Sequence, residues 1–424
     1  MENFIGKNRE QRCWLNLAVS IIVAVNFIAH FLFRYFEMSS SHNNYGFTEI
    51  MINFEGGFVR RGLLGQLLYC FCSSTGWDPF LIIEIFCTII YLRVLYLFFR
   101  GFHKRHLCWW LLLSPLVFGI TTQLVRKDYL CFLLIVGIFS LLREKNTSGL
   151  KILCATLLMV FGLFMHEAFI FFGVPLGILL MLTDRQHLFA GILSTICVAA
   201  CFFLLCHFKG NQAIVTSIYD SWNNLGQGEL LNPNIQTNSI GALGWDTLET
   251  IKMHFTLNFY HEGLGWTGLI YRPMSACVFF YFFVNALFVF KTPDTNFSLR
   301  DRDNLGATYL FALICLLPMF TILSCDYARI YQYAAVVALG ALIMIPPARL
   351  ERVFPRKYLS LVHQAIEWMN RNIIPSKGLM LVLLFILAPI PAGYVFEGSI
   401  KKSILYFLLE GIERTLHFIY NIFI

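Results

Sequence analysis

Long apolar runs alternate with short polar breaks along this chain, and the breaks carry most of the information. Runs of roughly 17–25 apolar residues match the length a helix needs to cross the hydrocarbon of a bilayer. Such runs are read over 14–36, 79–99, 107–123, 128–143, 150–165, 167–183, 188–207, 267–290, 305–324, 328–347 and 375–395. A last apolar helix near 403–422 either spans or lies in the interface. The run Leu63 to Cys72 is too short to cross, and its placement fixes the threading. Crossing there would put Arg100-Gly-Phe-His-Lys-Arg-His106 outside, against the excess of basic residues expected on cytoplasmic loops. Laid along the outer interface as an amphipathic helix instead, it leaves Asp78 as N-cap and Pro79 as first residue of the next span. The pattern therefore predicts an all-α, polytopic integral membrane protein with about 11–12 transmembrane helices and outer interfacial helices. A single membrane domain covers 1–424, with a first outer segment at 37–78 and a large outer loop at 208–266.

Composition agrees with that pattern. Of the 424 residues 58% are hydrophobic and only 13% charged, too few charges to cover a soluble domain of this size. The formal charge of +7 is then a topology signal and gives no reason to expect a nucleic-acid partner. The 13 cysteines show no CxxC spacing and sit mostly inside apolar runs, as in Cys197-Val-Ala-Ala-Cys201, where a small apolar side chain packs well. No cleavable signal peptide is read at the N-terminus. Basic residues sort mainly to the inner face, and the outer exceptions mark the interesting positions.

Those exceptions fall in five clusters on one face. The stretch Asn53-Phe-Glu-Gly-Gly-Phe-Val-Arg-Arg-Gly-Leu-Leu-Gly65 holds Glu55 beside Arg60 and Arg61. Arg126, Lys127 and Asp128 open one helix, Met165-His-Glu-Ala168 breaks two spans, and Asp326 precedes Arg329 in Cys325-Asp-Tyr-Ala-Arg329. The large loop contributes His261 and Glu262. Charged groups at membrane depth are expensive and tend to mark sites. Each has a structural alternative: headgroup anchoring for the basic residues, backbone satisfaction for the His166–Glu167 pair, and an i,i+3 pair for Asp326 and Arg329.

Arginine forks suit phosphate oxygens. A nearby carboxylate or imidazole supplies a general base, and the cations steady a departing phosphate or diphosphate. On this reading Arg60, Arg61, Arg126, Lys127, Arg329, His261 and Glu262 bind the substrate, and His166, Glu167, Glu55 and Asp326 are the candidate catalytic groups. An outward-facing enzyme has no nucleotide sugar available, so its donor would be a polyprenyl-linked sugar. Trp222, Trp245, Tyr260 and Trp266 could stack on sugar rings or form an interfacial aromatic belt. No HExxH is present and no metal or other cofactor is expected.

Two motifs also carry a family resemblance. Leu124-Val-Arg-Lys-Asp-Tyr-Leu130 opening one helix and Phe164-Met-His-Glu-Ala-Phe169 ending a later one, with a large outer loop before a late span, resemble Wzy-type O-antigen and capsule polymerases. The first outer segment, with a carboxylate near an interfacial helix, is similar to the wider GT-C membrane glycosyltransferases, although it offers Glu37, Glu49 and Glu55 and no aspartate. The resemblance implies a bacterial inner-membrane enzyme with its active site facing the periplasm. It would join undecaprenyl-diphosphate-linked oligosaccharides into a surface polysaccharide, with a chain-length regulator as a further partner besides the bilayer. The alternatives are a GT-C transferase adding one sugar from a polyprenyl-monophosphate donor, and a flippase or other transporter. A transporter would be expected to show paired halves with matching broken helices, and no such symmetry is read.

The threading makes a direct prediction. In a background lacking reactive native cysteines, Ser41→Cys and Asn234→Cys should be labelled by an impermeant thiol reagent on intact cells, while Lys104→Cys stays protected. Labelling at position 104 would reverse the orientation.

Overall fold

The computed structural model describes residues 45–372, apart from 114–116, 119–123, 145–146, 226–230, 232–237, 261–264, 290–296 and 325, together with some positions of a helix between 17 and 32. The spans expected at 375–395 and 403–422 lie outside the described residues. Every regular element that is described is helical. In chain order these are α1 (Tyr45–Ile50), α2 (Gly62–Thr75), α3 (Pro79–Lys104), α4 (Trp110–Leu113), α5 (Asp128–Leu142), α6 (Gly149–Met165), α7 (Phe169–Phe172) and α8 (Pro175–Leu182). There follow α9 (Leu188–His207), α10 (Gln212–Asn223), α11 (Thr247–Phe259), α12 (Gly268–Val289), α13 (Leu299–Cys315), α14 (Tyr327–Met344), α15 (Pro347–Val353) and α16 (Arg356–Asn372). A π-helical turn, Met319–Leu323, links α13 to α14.

Local chemistry sets these boundaries. The Asp78 carboxylate accepts from Phe80 N at 2.9 Å and Pro79 follows it, so the expected cap of α3 is present. Ser148 caps α6, and Ser298 with Asp301 forms a reciprocal capping box on α13. The span expected at 167–183 is not continuous. Gly173 packs on the Phe169 ring, and Pro175 brings no backbone donor, so the chain breaks into α7 and α8. The span expected at 107–123 carries only the single turn α4 among the described residues.

Among the described residues two helices, α3 and α9, are long and apolar enough to cross a membrane. Asp128–Leu142, Gly149–Met165 and Arg329–Met344 are apolar but shorter. The helical core is nonetheless close-packed. α5 packs against α6, α13 against α14, and α14 onto α5. Small residues on α14 (Ala334, Ala335, Ala338, Ala341) are fully buried, and Gly340 faces the Phe139 ring. Opposite faces of the helices stay bare. Leu81, Ile85, Ile89, Leu92 and Tyr96 make one exposed row on α3, and Leu150, Leu153, Leu157 and Phe161 make another on α6.

The segment from α1 to α2 is fastened to the large loop by buried hydrogen bonds. Trp222 Nε1 donates to Met51 O at 2.7 Å, Asn53 Nδ2 to Ser221 Oγ at 2.8 Å, and Ser239 Oγ to Tyr45 O at 2.8 Å. The loop is thus partly built, with α10, a 3₁₀ turn and α11 inside the range read as hydrophilic loop. The glycines of the first segment serve this packing. Gly57 sits at φ 114°, and a methyl group on Gly65 would collide with the carbonyl oxygen of Ile52.

Gly65→Ala should therefore lower the melting temperature of the purified protein by an amount corresponding to about 1–3 kcal/mol, the usual cost of overpacking. Gly149→Ala, whose new methyl group would meet nothing within 4 Å, should leave it unchanged. Equal melting temperatures for the two variants would show that the α1–α2 turn yields freely.

Candidate functional site

Helix ends converge on one charged cluster. The N-terminal ends of α2, α5 and α14 and the C-terminal end of α6 deliver Arg61, Asp128, Arg329 and His166, and α1 brings Glu49 into their midst. Glu49 is 2% exposed. Its Oε1 lies 3.5 Å from Arg61 and 3.5 Å from His166 Nε2, and its Oε2 lies 3.6 Å from Arg329.

Two forked pairs flank it. Arg61 grips both oxygens of Glu167, through Nε at 2.6 Å and through a guanidinium NH2, and Arg60 reaches the same carboxylate at 3.2 Å. Arg329 holds Asp128 at 2.6 and 2.7 Å, and the Tyr333 hydroxyl donates to that carboxylate at 2.8 Å. Phe172 of α7 stacks on the Tyr333 ring at 4.1 Å and fixes its orientation. Arg126 lies between two carboxylates, 3.4 Å from Asp326 and 3.9 Å from Asp128. Asp326 also caps α14 by accepting from Arg329 N. The run into that cap is held by Asn258 of α11, whose Nδ2 donates to the carbonyls of Phe320, Thr321 and Ser324 around the π-helical turn.

Backbone strain accompanies this geometry. Arg61 adopts φ 67°, a left-handed conformation that a non-glycine residue rarely takes unless its surroundings impose it. The bidentate contact with Glu167, 106 residues away, is such an imposition.

The electrostatics follow from burial and neighbours. Burial would raise the Glu49 carboxyl, but Lys127, Arg329, His166 and Arg61 together outweigh it and hold the group down at about 2. Burial acts on Glu167 in the same direction and is likewise overcome by Arg61 and Arg60, leaving its carboxyl well below the usual range. Burial lowers His166, so the imidazole is neutral at pH 7. Its Nδ1 accepts from Ala168 N at 3.2 Å, and its Nε2 lies 3.3 Å from Arg329 and 3.5 Å from Glu49. Lys127 is 1% exposed and pushed down to about 8, first by burial.

Of the residues singled out in the sequence, Arg60, Arg61, Arg126, Lys127, Arg329, His166, Glu167 and Asp326 come together here. Glu55 does not: it is exposed and accepts from Gln66 Nε2 at 2.9 Å, away from the cluster. The carboxylate of the first outer segment that reaches the site is Glu49. Its signal was present in Thr48-Glu-Ile-Met-Ile52, an acid followed by an unbroken apolar run that must be buried. Tyr333 was also missed, although it lies one helical turn after Arg329 on the same face. His261 and Glu262 lie outside the described residues. Trp222 is fully buried as a structural anchor and cannot stack on a sugar, whereas Tyr260 and Trp266 are exposed and meet edge-to-face at 5.3 Å. Among the described residues no group of three or more His, Cys, Asp or Glu is arranged to hold a metal ion.

Set against protein-family models, curated proteins and solved structures, the chain matches none.

The Glu49 environment gives a pH prediction with a definite sign. A carboxyl depressed from 4.5 to about 2 adds stability that is fully present above pH 4.5 and is lost as pH falls toward 2. That contribution is on the order of 3 kcal/mol. Glu49→Gln should lower the melting temperature at pH 7 and flatten its decline between pH 5 and pH 3. A variant as stable as the wild type at pH 7, with the same acid limb, would remove Glu49 from the electrostatic centre.

Proposed function

We propose that this chain is a multi-pass membrane glycosyltransferase that extends a surface polysaccharide from polyprenyl-phosphate-linked sugars on the outer face of the inner membrane, in the manner of the polymerases its motifs resemble. Two structural features support the membrane part. Rows of exposed Leu, Ile and Phe run along α3, α6 and α9, with Phe189 79% and Phe203 71% exposed. Water would penalise such rows, and lipid would not. The charges of the cluster meanwhile gather at one end of these helices, where headgroups lie.

The observation that carries the chemistry is the cluster itself: four arginines and a lysine interleaved with four carboxylates and a neutral imidazole, none forming a metal site. Such a set can bind a phosphate while a carboxylate takes the proton of an acceptor hydroxyl, the two halves of glycosyl transfer from a lipid phosphate. Glu49 is the best placed base. His166 has Nδ1 engaged by the Ala168 N–H and Nε2 beside Arg329 and Glu49, which suits it to positioning those groups. Glu167 and Asp128 are locked in forked pairs, which suits them to holding Arg61 and Arg329 in place. A carboxylate at about 2 is a weak base in the empty site. An anionic ligand beside the same cations would offset their charge and raise it. Tyr260 and Trp266 could carry a sugar ring nearby.

One observation favours the second reading, transfer of a single sugar from a polyprenyl monophosphate. Five cations against four carboxylates leave one positive charge in the cluster when His166 is neutral. That matches the single charge of a phosphodiester better than the two of a diphosphate. The cluster sits at one end of its helices, which gives no support to a transporter with a mid-membrane site.

Chain growth in cells, followed as the ladder of polymer lengths on a gel, tests the assignment. Glu49→Gln, Arg61→Ala and Arg329→Ala should each abolish the ladder at normal protein levels. His166→Gln should retain shortened or sparse chains, because an amide can still orient Glu49. A His166→Gln variant as inactive as Glu49→Gln would return the role of base to the histidine. An unchanged ladder in all four variants would sink the glycosyl-transfer reading.

A further inference from the structure

Lys127 is the one cation of the cluster that no carboxylate grips directly, although Glu49 and Glu167 face it. Its Nζ is buried and has no hydrogen-bond partner, and no carboxylate forms an ion pair with it among the described residues. The charges facing it come from every element around it: Glu49 on α1, Arg61 at the start of α2, Glu167 in the turn after α6, and the Cys131 thiol on its own helix, α5. Arg61 and Arg329, by contrast, are fully occupied by forked carboxylates, and Arg126 shares two.

A buried ammonium without a partner costs folding free energy, and a well-packed apolar side chain of similar length would relieve that cost. Arg61 and Arg329 show how this chain satisfies a buried cation, each making two short bonds to one carboxylate. A group left out of that arrangement in the middle of an otherwise paired site is placed to meet something the protein does not itself supply.

We propose that Lys127 is the seat of the ligand's anionic phosphoryl oxygen, docking directly on its ammonium while the forked arginines stay on their carboxylates. The inference rests on the reading of this cluster as a lipid-phosphate site and deepens it. The first contact is the lysine, and the arginines act as a preformed frame around it. Lysine suits that task as a compact point charge able to meet an oxygen from several directions, where an arginine fork demands a bidentate partner. The seat also has a built-in pH limit, because an ammonium already pushed down to about 8 loses its proton above that pH in the empty site.

The test uses the full-length protein in neutral maltoside micelles with farnesyl monophosphate as probe, read by thermophoresis, together with the melting temperature. Above pH 7 the second ionisation of the probe is essentially complete, so its charge is constant from pH 7 to 9.5. Wild type should bind the probe and lose at least tenfold in affinity between pH 7 and pH 9.5. Lys127→Met should remain folded, bind at least tenfold more weakly at pH 7 and show no such pH dependence. Lys127→Arg, which keeps the charge and changes its shape, should bind between the two.

Lys127→Met binding within twofold of wild type would overturn the proposal, as would a Lys127→Met protein that no longer folds, because the ammonium would then be a structural element. Failure of the wild-type protein to bind the prenyl phosphate would overturn it as well. The two readings fail separately. Loss of the polymer-ladder effects with probe binding intact would refute the enzyme assignment and leave Lys127 as an anion seat. The converse would remove only the seat.

Discussion

Burial of Glu49 is the constraint on which the rest of the arrangement depends. A carboxylate with 2% exposure cannot remain ionised unless cations surround it, and Arg61, Arg329, Lys127 and His166 arrive from four separate elements to do so. Arg61 and Arg329 then need counter-charges of their own, which Glu167 and Asp128 supply in forked geometry. The ends of α2, α5, α6 and α14 are thereby tied together by charge, in a place where apolar packing alone would leave their register loose. Removing any one partner leaves another buried and uncompensated, which is far more damaging than replacing the pair.

That dependence explains which parts of the sequence were legible. Helix type, and the starts of α3 and α9, could be read because apolar runs and the Asp78-Pro79 cap are local signals. The convergence of Arg60, Arg61, Arg126, Arg329, His166 and Glu167 could be read because charges in so apolar a chain have few affordable locations. Pairing could not. Arg61 meets Glu167 across 106 positions and Arg329 meets Asp128 across 201, and no local pattern encodes such partners. Glu55 looked as good as Glu49 beside the arginines, yet it faces out, because the turn at Gly57 and the tight contact of Gly65 on Ile52 carry it away. The span at 167–183 was misread as continuous because hydropathy averages over the Gly173–Pro175 break.

The glycine-arginine stretch changes meaning in the same way. Four glycines beside two arginines read as backbone able to approach another surface closely, next to forks suited to phosphate oxygens. In the folded chain Gly65 serves close packing on Ile52 and Gly57 serves the turn, and only the arginine side chains face the cluster. The turn's other task is attachment. Met51 and Asn53 bond to Trp222 and Ser221 of α10, so the segment that presents Glu49 is clamped between the helical bundle and the large loop.

That clamp bears on how such a site could work. A cluster this densely paired resists reorganisation, and a ligand that had to prise Arg61 from Glu167 would lose two charge-assisted bonds before gaining any. A preformed frame avoids that loss, provided at least one donor is left free, and it holds the reacting groups in place without rearrangement when charge shifts. The strained φ of Arg61, the His166 ring held at Nδ1 by a backbone donor and the stacked Tyr333 all serve rigidity of this kind. The adaptable parts then have to lie elsewhere. Tyr260 and Trp266 are exposed at and just beyond the end of α11, outside the charged frame.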